Sequence, residues 1–463
     1  METNITPSPA AELVLSPEAN SIPPYGAIVN PSPAPVTKAD RLQTVDLIRG
    51  FALLGILLMN IPGFGIDNSI YYQLLTHPTG RADTVALTGM MVFFEGTMRG
   101  LFSMLFGAGM ILFTMNKQES AGGATVAEYY YRRLLWLVLF GLFNAFVLLW
   151  FGDILYYYGL CGMLLYAFRK TRPKWLILIG VACIVIPIIR GVVNYDEVRD
   201  KRAAYLQAVS AEKAHKKLSS KQSQDKNAWL EIEKNRKPDP EQTEKNVRKM
   251  HSNYSTIFMY FIPRNADDET WFLYLGAWDM LCMMFIGMGL FGLGFFSNRV
   301  RGSTYLMGLL AGYGVGIPVS WFYFKGMGLS VAGEWGNYVD TYRTPHWLLY
   351  DIKRVFLAVG HASLLMLVYR SRLLPWLMKA LANVGQLAFT NYLMQSIICT
   401  WYFYGYGLGH YNQLRFHQLY YVVGCVWLFQ LIFSSIWLRY FRFGPFEWLW
   451  RSLTYWKFQP MRI

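Results

Sequence analysis

Polar residues inside long apolar runs are the ones to examine first, because a charge in hydrocarbon costs about 2.5 to 3.5 kcal/mol on insertion scales. Asp46 and Arg49 stand three apart and Glu95 and Arg99 four apart, each pair on one helix face. The first pair can form a local ion pair or meet an anionic ligand, and the second can neutralise itself inside a bundle, where the small residues Ser103, Gly107 and Gly109 let a neighbouring helix approach closely. Asp279 and His361 stand alone among apolar neighbours, and of the seven histidines His361 lies well inside an apolar run. That is the position for proton handling, with a neighbouring helix carbonyl as the competing partner. Arg354 shares roughly the same face seven residues earlier. Asp153, directly after Gly152, can cap a helix that starts there or orient a base or a sugar hydroxyl. Asn391 and Gln395, four apart with Thr390 and Tyr392 beside them, can link helices or line a polar path.

The elements that hold these residues are membrane helices. Hydrophobic residues make up 54% of the 463 positions and charged residues 16%, against about 25% charged in a soluble domain. Residues 191 to 270 alone hold 15 Lys or Arg and 13 Asp or Glu, so the rest of the chain is poorer still in charge. The fold class is therefore all-α, a polytopic bundle of about ten spans with a long outer loop. Apolar runs place the spans at 45–65, 91–114, 132–150, 153–169, 174–192, 271–296, 304–324, 347–369, 383–404 and 418–440. The divisions are a tail over 1–40, spans one to five over 41–192, the charged loop or helical insertion over 193–270, and spans six to ten with a terminal segment over 271–463. The tail holds eight prolines and neither a basic start nor an apolar run, so it reads as disordered and not as a cleaved signal.

The net charge of +14 sits in clusters beside apolar segments. That pattern is a topology signal and excludes a phosphate-binding stripe for nucleic acid. The joints on the side of the termini carry Lys117, Arg132, Arg133, Arg169, Lys170, Arg299, Arg301, Arg370 and Arg439, while the opposite short joints carry Arg81, Lys325, Arg343 and Arg415. Both termini are thus expected in the cytoplasm of a bacterial inner membrane, with the insertion outside. Cys161, Cys183, Cys282, Cys399 and Cys425 lack metal-site spacing and read as packing residues.

Several stretches resemble the YeiB-like family of bacterial membrane proteins, which carries a domain of unknown function. They are Val45-Asp-Leu-Ile-Arg-Gly50, Leu101-Phe-Ser-Met-Leu-Phe-Gly-Ala-Gly109, Trp150-Phe-Gly-Asp-Ile-Leu155, Thr390-Asn-Tyr-Leu-Met-Gln-Ser396 and the closing Gly444-Pro-Phe-Glu-Trp-Leu-Trp-Arg451. The Asp-x-x-Arg-Gly motif at Asp46 and Arg49 is also similar to that of heparan-glucosaminide acetyltransferase-like membrane acyltransferases, which implies transfer of an acyl group from a cytoplasmic donor to a sugar across the membrane. One departure stands out. The family commonly has a histidine in the Gly-x-x-His segment before Trp-x-Gly-Asp, and this chain has Gly141-Leu-Phe-Asn144. An amide has no useful proton affinity, so a base would lie elsewhere, at His361 or His77.

Two kinds of function stay open. For acyl transfer, Arg49, Arg132 and Arg133 form the entry for acyl-CoA, a donor substrate and not a resident cofactor. His361, Asp46, Asp153 and Asn391 are then the catalytic candidates. Glu95, Arg99, Asn144, Asp279, Arg354, Tyr392 and Gln395 are the expected contacts to a small-molecule, lipid-linked or sugar substrate. For transport, Glu95, Asp279 and His361 couple protons to a small solute, although no clear broken helices are expected at matched positions. A structural or sensing role is the third alternative. No metal is expected, and the oligomeric state is open. The orientation is tested by labelling: an impermeant thiol reagent should reach Asp225→Cys in intact cells and Thr171→Cys only after permeabilisation, and the reverse pattern contradicts it.

Overall fold

The computed structural model describes residues 42–115, 125–237, 239–331 and 335–463. The stretch read as a disordered tail lies outside these residues, as does Lys117. The chain opens with α1 (Gln43–Gly65), short α2 (Asn68–Thr76) and α3 (Arg81–Gly89), and α4 (Thr97–Met115). A hairpin follows, α5 (Val126–Phe146) and α6 (Leu155–Leu165). The charged middle is carried by α7 (Pro173–Lys213), α8 (Ser220–Arg236), α9 (Pro240–Met250) and α10 (Tyr254–Leu275). The second half runs through α11 (Ala277–Gly292), α12 (Gly302–Val331), α13 (Trp335–Thr341), α14 (Tyr350–Ser371), α15 (Pro375–Gln386), α16 (Ala388–Phe403), α17 (Phe416–Tyr440) and α18 (Pro445–Tyr455). Among the described residues there is no strand, only an isolated bridge between Phe441 and Arg462.

Six helical stretches among the described residues are long and apolar enough to cross a membrane: Gln43–Gly65, Arg81–Met115, Pro173–Lys213, Gly302–Val331, His346–Ser371 and Phe416–Tyr440. The other four expected spans are not single long apolar helices. Residues 132–150 fall largely on α5, whose start carries Glu128, Arg132 and Arg133. The span at 153–169 shrinks to the 11 residues of α6 and a 3-10 turn. The run 271–296 is interrupted at Gly276, and 383–404 is split at Leu387 between α15 and α16. Apolar character continues through such breaks, so hydropathy does not register them. The boundaries at 192 and 270 also fall inside helices: α7 has 41 residues, about 60 Å of helix, and carries the chain out of the apolar layer into the charged insertion.

Burial ranks the helices. Of its most apolar window, α1 buries 67% against protein, α7 17% and α17 22%, so α1 is the central post and α7 and α17 face outward. Backbone crossings hold α1 in place. A Cβ on Gly50 would sit 1.9 Å from the Leu381 carbonyl oxygen, and one on Gly385 would sit 1.8 Å from that of Asp46. The crossing of α4 and α11 is equally reciprocal, with Gly107 against Met284 and Gly287 against Met104. Gly107 thus fills the close-approach role read from the sequence, while a Cβ on Gly109 would meet nothing.

The charges inside the bundle find partners on other helices. Glu95 does not neutralise Arg99, because the helix breaks between them at Gly96, whose φ of +68° suits glycine. Glu95 instead pairs with Lys353, and Arg99 pairs with Asp279 at 2.6 Å and donates to the Tyr350 hydroxyl at 3.0 Å. Asp279 is therefore not alone: Arg354 also contacts it, meets Asp351 at 3.1 Å and donates from Nε to the Gly96 carbonyl at 3.1 Å. Three acids and three bases close on one another across α4, α11 and α14, with Lys353 and Arg354 wholly buried. Four of them, Glu95, Arg99, Asp279 and Arg354, are among the expected substrate contacts, and their ion pairs tie helices together. Breaking a buried pair on one side costs about 3 to 5 kcal/mol. Lys353→Met is expected to lower unfolding stability in detergent by about that amount, and Glu95→Gln/Lys353→Met to recover most of it. A double variant no more stable than the single one contradicts the pairing.

Candidate functional site

A cavity of about 210 Å³ opens between α4, α5, α6, α16 and α18. Its long walls are apolar, with Phe102, Leu105, Phe106 and Met110 on one side and Leu134 and Leu137 on another. Three guanidinium groups, Arg49, Arg133 and Arg451, line it together with one carboxylate, Glu447. Arg49 is paired at 2.7 Å with Asp46, as its spacing suggested, and Asp46 is not part of the lining. The Arg133 guanidinium lies 4.2 Å from the centre of the Trp450 ring. Arg132, expected beside them, turns away: it sits over Tyr129 and Trp456 and donates to the Thr454 carbonyl at 3.3 Å. One turn of α5 cannot aim adjacent residues at the same space.

Glu447 closes one wall of the cavity. Its carboxylate accepts from the backbone N–H of Phe389 at 2.7 Å, from that of Thr390 at 3.0 Å, and from the Thr390 hydroxyl at 2.5 Å. These groups begin α16, just after the break at Leu387, and an anion is the natural partner for a helix start. Burial pushes the Glu447 carboxyl up from the usual carboxylate range, against the pull of those donors. The sequence motif contains Glu447 and Arg451, but neither is among the site residues expected from sequence. Their spacing of four on one amphipathic helix was the available signal.

Tyr392, one turn further along α16, lines the cavity at the joint between α5 and α6. Its hydroxyl accepts from the Ile154 N–H at 3.1 Å and donates to Asp153 Oδ1 at 3.4 Å. Asp153 is 1% exposed. It also accepts from Asn144 Nδ2 at 2.8 Å and, as the capping expectation required, from the Tyr156 N–H at 2.9 Å. The tight hairpin makes this possible, because Gly141 of α5 approaches the backbone of Tyr156, where a Cβ would lie 2.2 Å away. Asn144 stands where relatives were expected to carry histidine, and here the position donates an N–H to a carboxylate. An amide does that as well as an imidazole, so the departure leaves the arrangement intact, and Asp153, which does not itself line the cavity, is linked to it through Tyr392.

Other expected site residues lie elsewhere. His361 Nε2 is 3.1 Å from the Phe93 carbonyl oxygen, to which it donates, and the rings of Phe51, Phe94 and Tyr313 surround it at 5.4 to 6.0 Å. Neither it nor His77, which meets Thr76 at 2.9 Å, lines the cavity. Asn391 donates to the Val384 carbonyl at 3.2 Å and to Ser434 Oγ at 2.9 Å, and Gln395 donates to Gln430 Oε1 at 3.1 Å. Both join α16 to its neighbours and face no open space. No group of three or more His, Cys, Asp or Glu residues suited to a metal occurs among the described residues.

A family model described as a protein of unknown function (DUF418) matches residues 294–457. The chain is 30% identical over 438 residues to Uncharacterized protein YxaH of Bacillus subtilis (strain 168), covering 92% of this chain and 97% of that one. It is 30% identical over 430 residues to Uncharacterized protein YeiB of Escherichia coli (strain K12), covering 90% and 96%. An uncharacterized 39.9 kDa protein in the amylase 3' region of Bacillus acidopullulyticus is 24% identical over 421 residues, covering 91% and 96%. No solved structure matches. Because 30% identity extends over nearly the full length of two relatives, the chain belongs to the YeiB-like family of bacterial membrane proteins.

Proposed function

We propose that the protein transfers an acyl group from an anionic donor of the acyl-CoA kind, held in the large cavity, to a hydroxyl that reaches Asp153. The observation that carries this reading is the polarity of the cavity, with three arginines along apolar walls and Tyr392 with its partner Asp153 at the joint. Donor phosphates meet Arg49, Arg133 and Arg451, for which bidentate guanidinium contacts are well suited. The apolar walls take the acyl arm. The acceptor oxygen attacks the thioester carbonyl and gives its proton to Asp153. As the C–S bond breaks, the proton passes from Asp153 to the departing thiolate, while the Tyr392 hydroxyl, donating to Asp153, orients that carboxylate. With the positive-inside charges facing the cytoplasm of an inner membrane, the donor enters from that side and the acceptor from the other.

The helix breaks at Gly96 and Leu387 favour a second reading, proton-coupled transport, since transporters bind at such breaks. It has less support: the charges at the first break satisfy one another and His361 is walled by aromatic rings. Purified protein should gain thermal stability with acyl-CoA, by about 2.7 kcal/mol at 100 times Kd, and lose the gain in Arg49→Ala/Arg133→Ala. Asp153→Asn should keep the stabilisation and lose turnover by about 100-fold or more. No shift with any acyl-CoA, or a full shift in the double arginine variant, contradicts the donor site.

A further inference from the structure

A second cavity, of about 100 Å³, lies at the other end of α1, where Gly63 lines it. Arg49 lines the first cavity fourteen residues earlier, about 21 Å along the helix. The charged insertion supplies one wall of the second cavity, through Asn246 of α9 and Tyr260 and Arg264 of α10. Asp67 and Tyr411 line it from the bundle.

Asp67 and Arg264 set the chemistry of this space. Asp67 is 4% exposed, and its carboxylate spends Oδ1 on the Ser69 N–H at 2.9 Å, which leaves Oδ2 without a donor among the described residues. The Arg264 guanidinium rests against the Phe151 ring, 3.8 Å from its centre, a contact that gives its N–H groups no acceptor oxygen. Among the described residues neither side chain enters an ion pair. A carboxylate and a guanidinium held apart beside one small space are each costly to keep out of water without a counter-charge. An anion would meet Arg264 and also face Asp67, a cation would do the reverse, and an uncharged molecule would leave both charges unpaired. A molecule with an ammonium and a carboxylate a few ångströms apart satisfies both at once. Its carboxylate accepts from the guanidinium fork, and its ammonium has N–H groups to give to Asp67. Asn246, whose Oδ1 accepts from Gln242 at 2.9 Å, keeps its amide N–H groups for the same carboxylate. The volume admits little or no side chain beyond these two groups.

We propose that this pocket binds a small α-amino acid as its zwitterion, with the ammonium on Asp67 and the carboxylate on Arg264 and Asn246. The proposal goes beyond the acyl-transfer reading and does not depend on it, since neither the donor nor the first cavity enters it. The test is calorimetric titration of the full chain in detergent, near neutral pH and without donor. The probes are glycine, each enantiomer of alanine, glycolate, which lacks the ammonium, glycinamide, which lacks the carboxylate, and phosphoethanolamine. Saturable binding of glycine or alanine is expected, with glycolate and glycinamide each weaker by about tenfold or more for the loss of one charge-assisted contact. Asp67→Asn, which keeps a residue able to cap α2, and Arg264→Gln should each weaken glycine by a similar factor. Asp67→Asn should also narrow the gap between glycine and glycolate, because the carboxylate end of the site remains. Absence of amino-acid binding by protein with a normal thermal transition overturns the proposal. So does glycolate or glycinamide binding as tightly as glycine, phosphoethanolamine binding without glycine or alanine, or unchanged affinity in both variants. Failure of acyl-CoA to bind would remove the donor site and leave this titration standing, so the two ideas fail separately.

Discussion

A helix that begins inside an apolar layer exposes backbone N–H groups with no water to receive them, and each one left unpaired costs several kcal/mol. The start of α16, buried in protein, is equally cut off from water, and the Glu447 carboxylate is what satisfies it. The consequence is architectural. With α18 docked through that contact, the chain can stop α15 at Gln386 and restart at Ala388, which opens the cavity wall and turns Tyr392 towards the joint that carries Asp153. Remove the carboxylate and the break has no reason to hold.

The second break is held by side chains from another helix. Arg354 donates to the Gly96 carbonyl, which also accepts the Gly100 N–H at 3.0 Å. That arginine is itself a buried charge and needs acids, which Asp279 and Asp351 supply. Arg99, Asp279, Arg354 and Asp351 form one connected set, with Glu95 and Lys353 paired beside it. The bundle thus separates two uses of polarity. One set of charges holds α4, α11 and α14 together, and another, Arg49, Arg133 and Arg451, lines the large cavity.

Much of this was legible in the residues alone. The helical class, the extent of α1, and the caps and close approaches at Asp153 and Gly107 follow from periodicity and small-residue spacing. The local pair of Asp46 and Arg49 was visible too, because its geometry is set within one turn. What depends on distant chain was not. Glu95 and Arg99 look like partners until Gly96 breaks the helix between them, and their true partners stand 258 and 180 positions away. Glu447 looks like a surface residue on an amphipathic helix until the break it caps, 57 and 58 positions earlier, is known. His361 stands alone among apolar residues in the sequence, and the structure gives it the helix-carbonyl partner that was the competing expectation, at Phe93.

The proposed chemistry hangs on one placement: an anionic donor lying along the large cavity with its head at the arginines and its acyl end at Tyr392. Electron cryomicroscopy of the protein with a non-hydrolysable acyl-CoA analogue tests it directly. The account predicts density running from Arg49, Arg133 and Arg451 to Tyr392, with the thioester mimic beside the Asp153 joint. A map that resolves these side chains and shows the cavity empty of analogue, or the analogue bound elsewhere on the bundle, would contradict it.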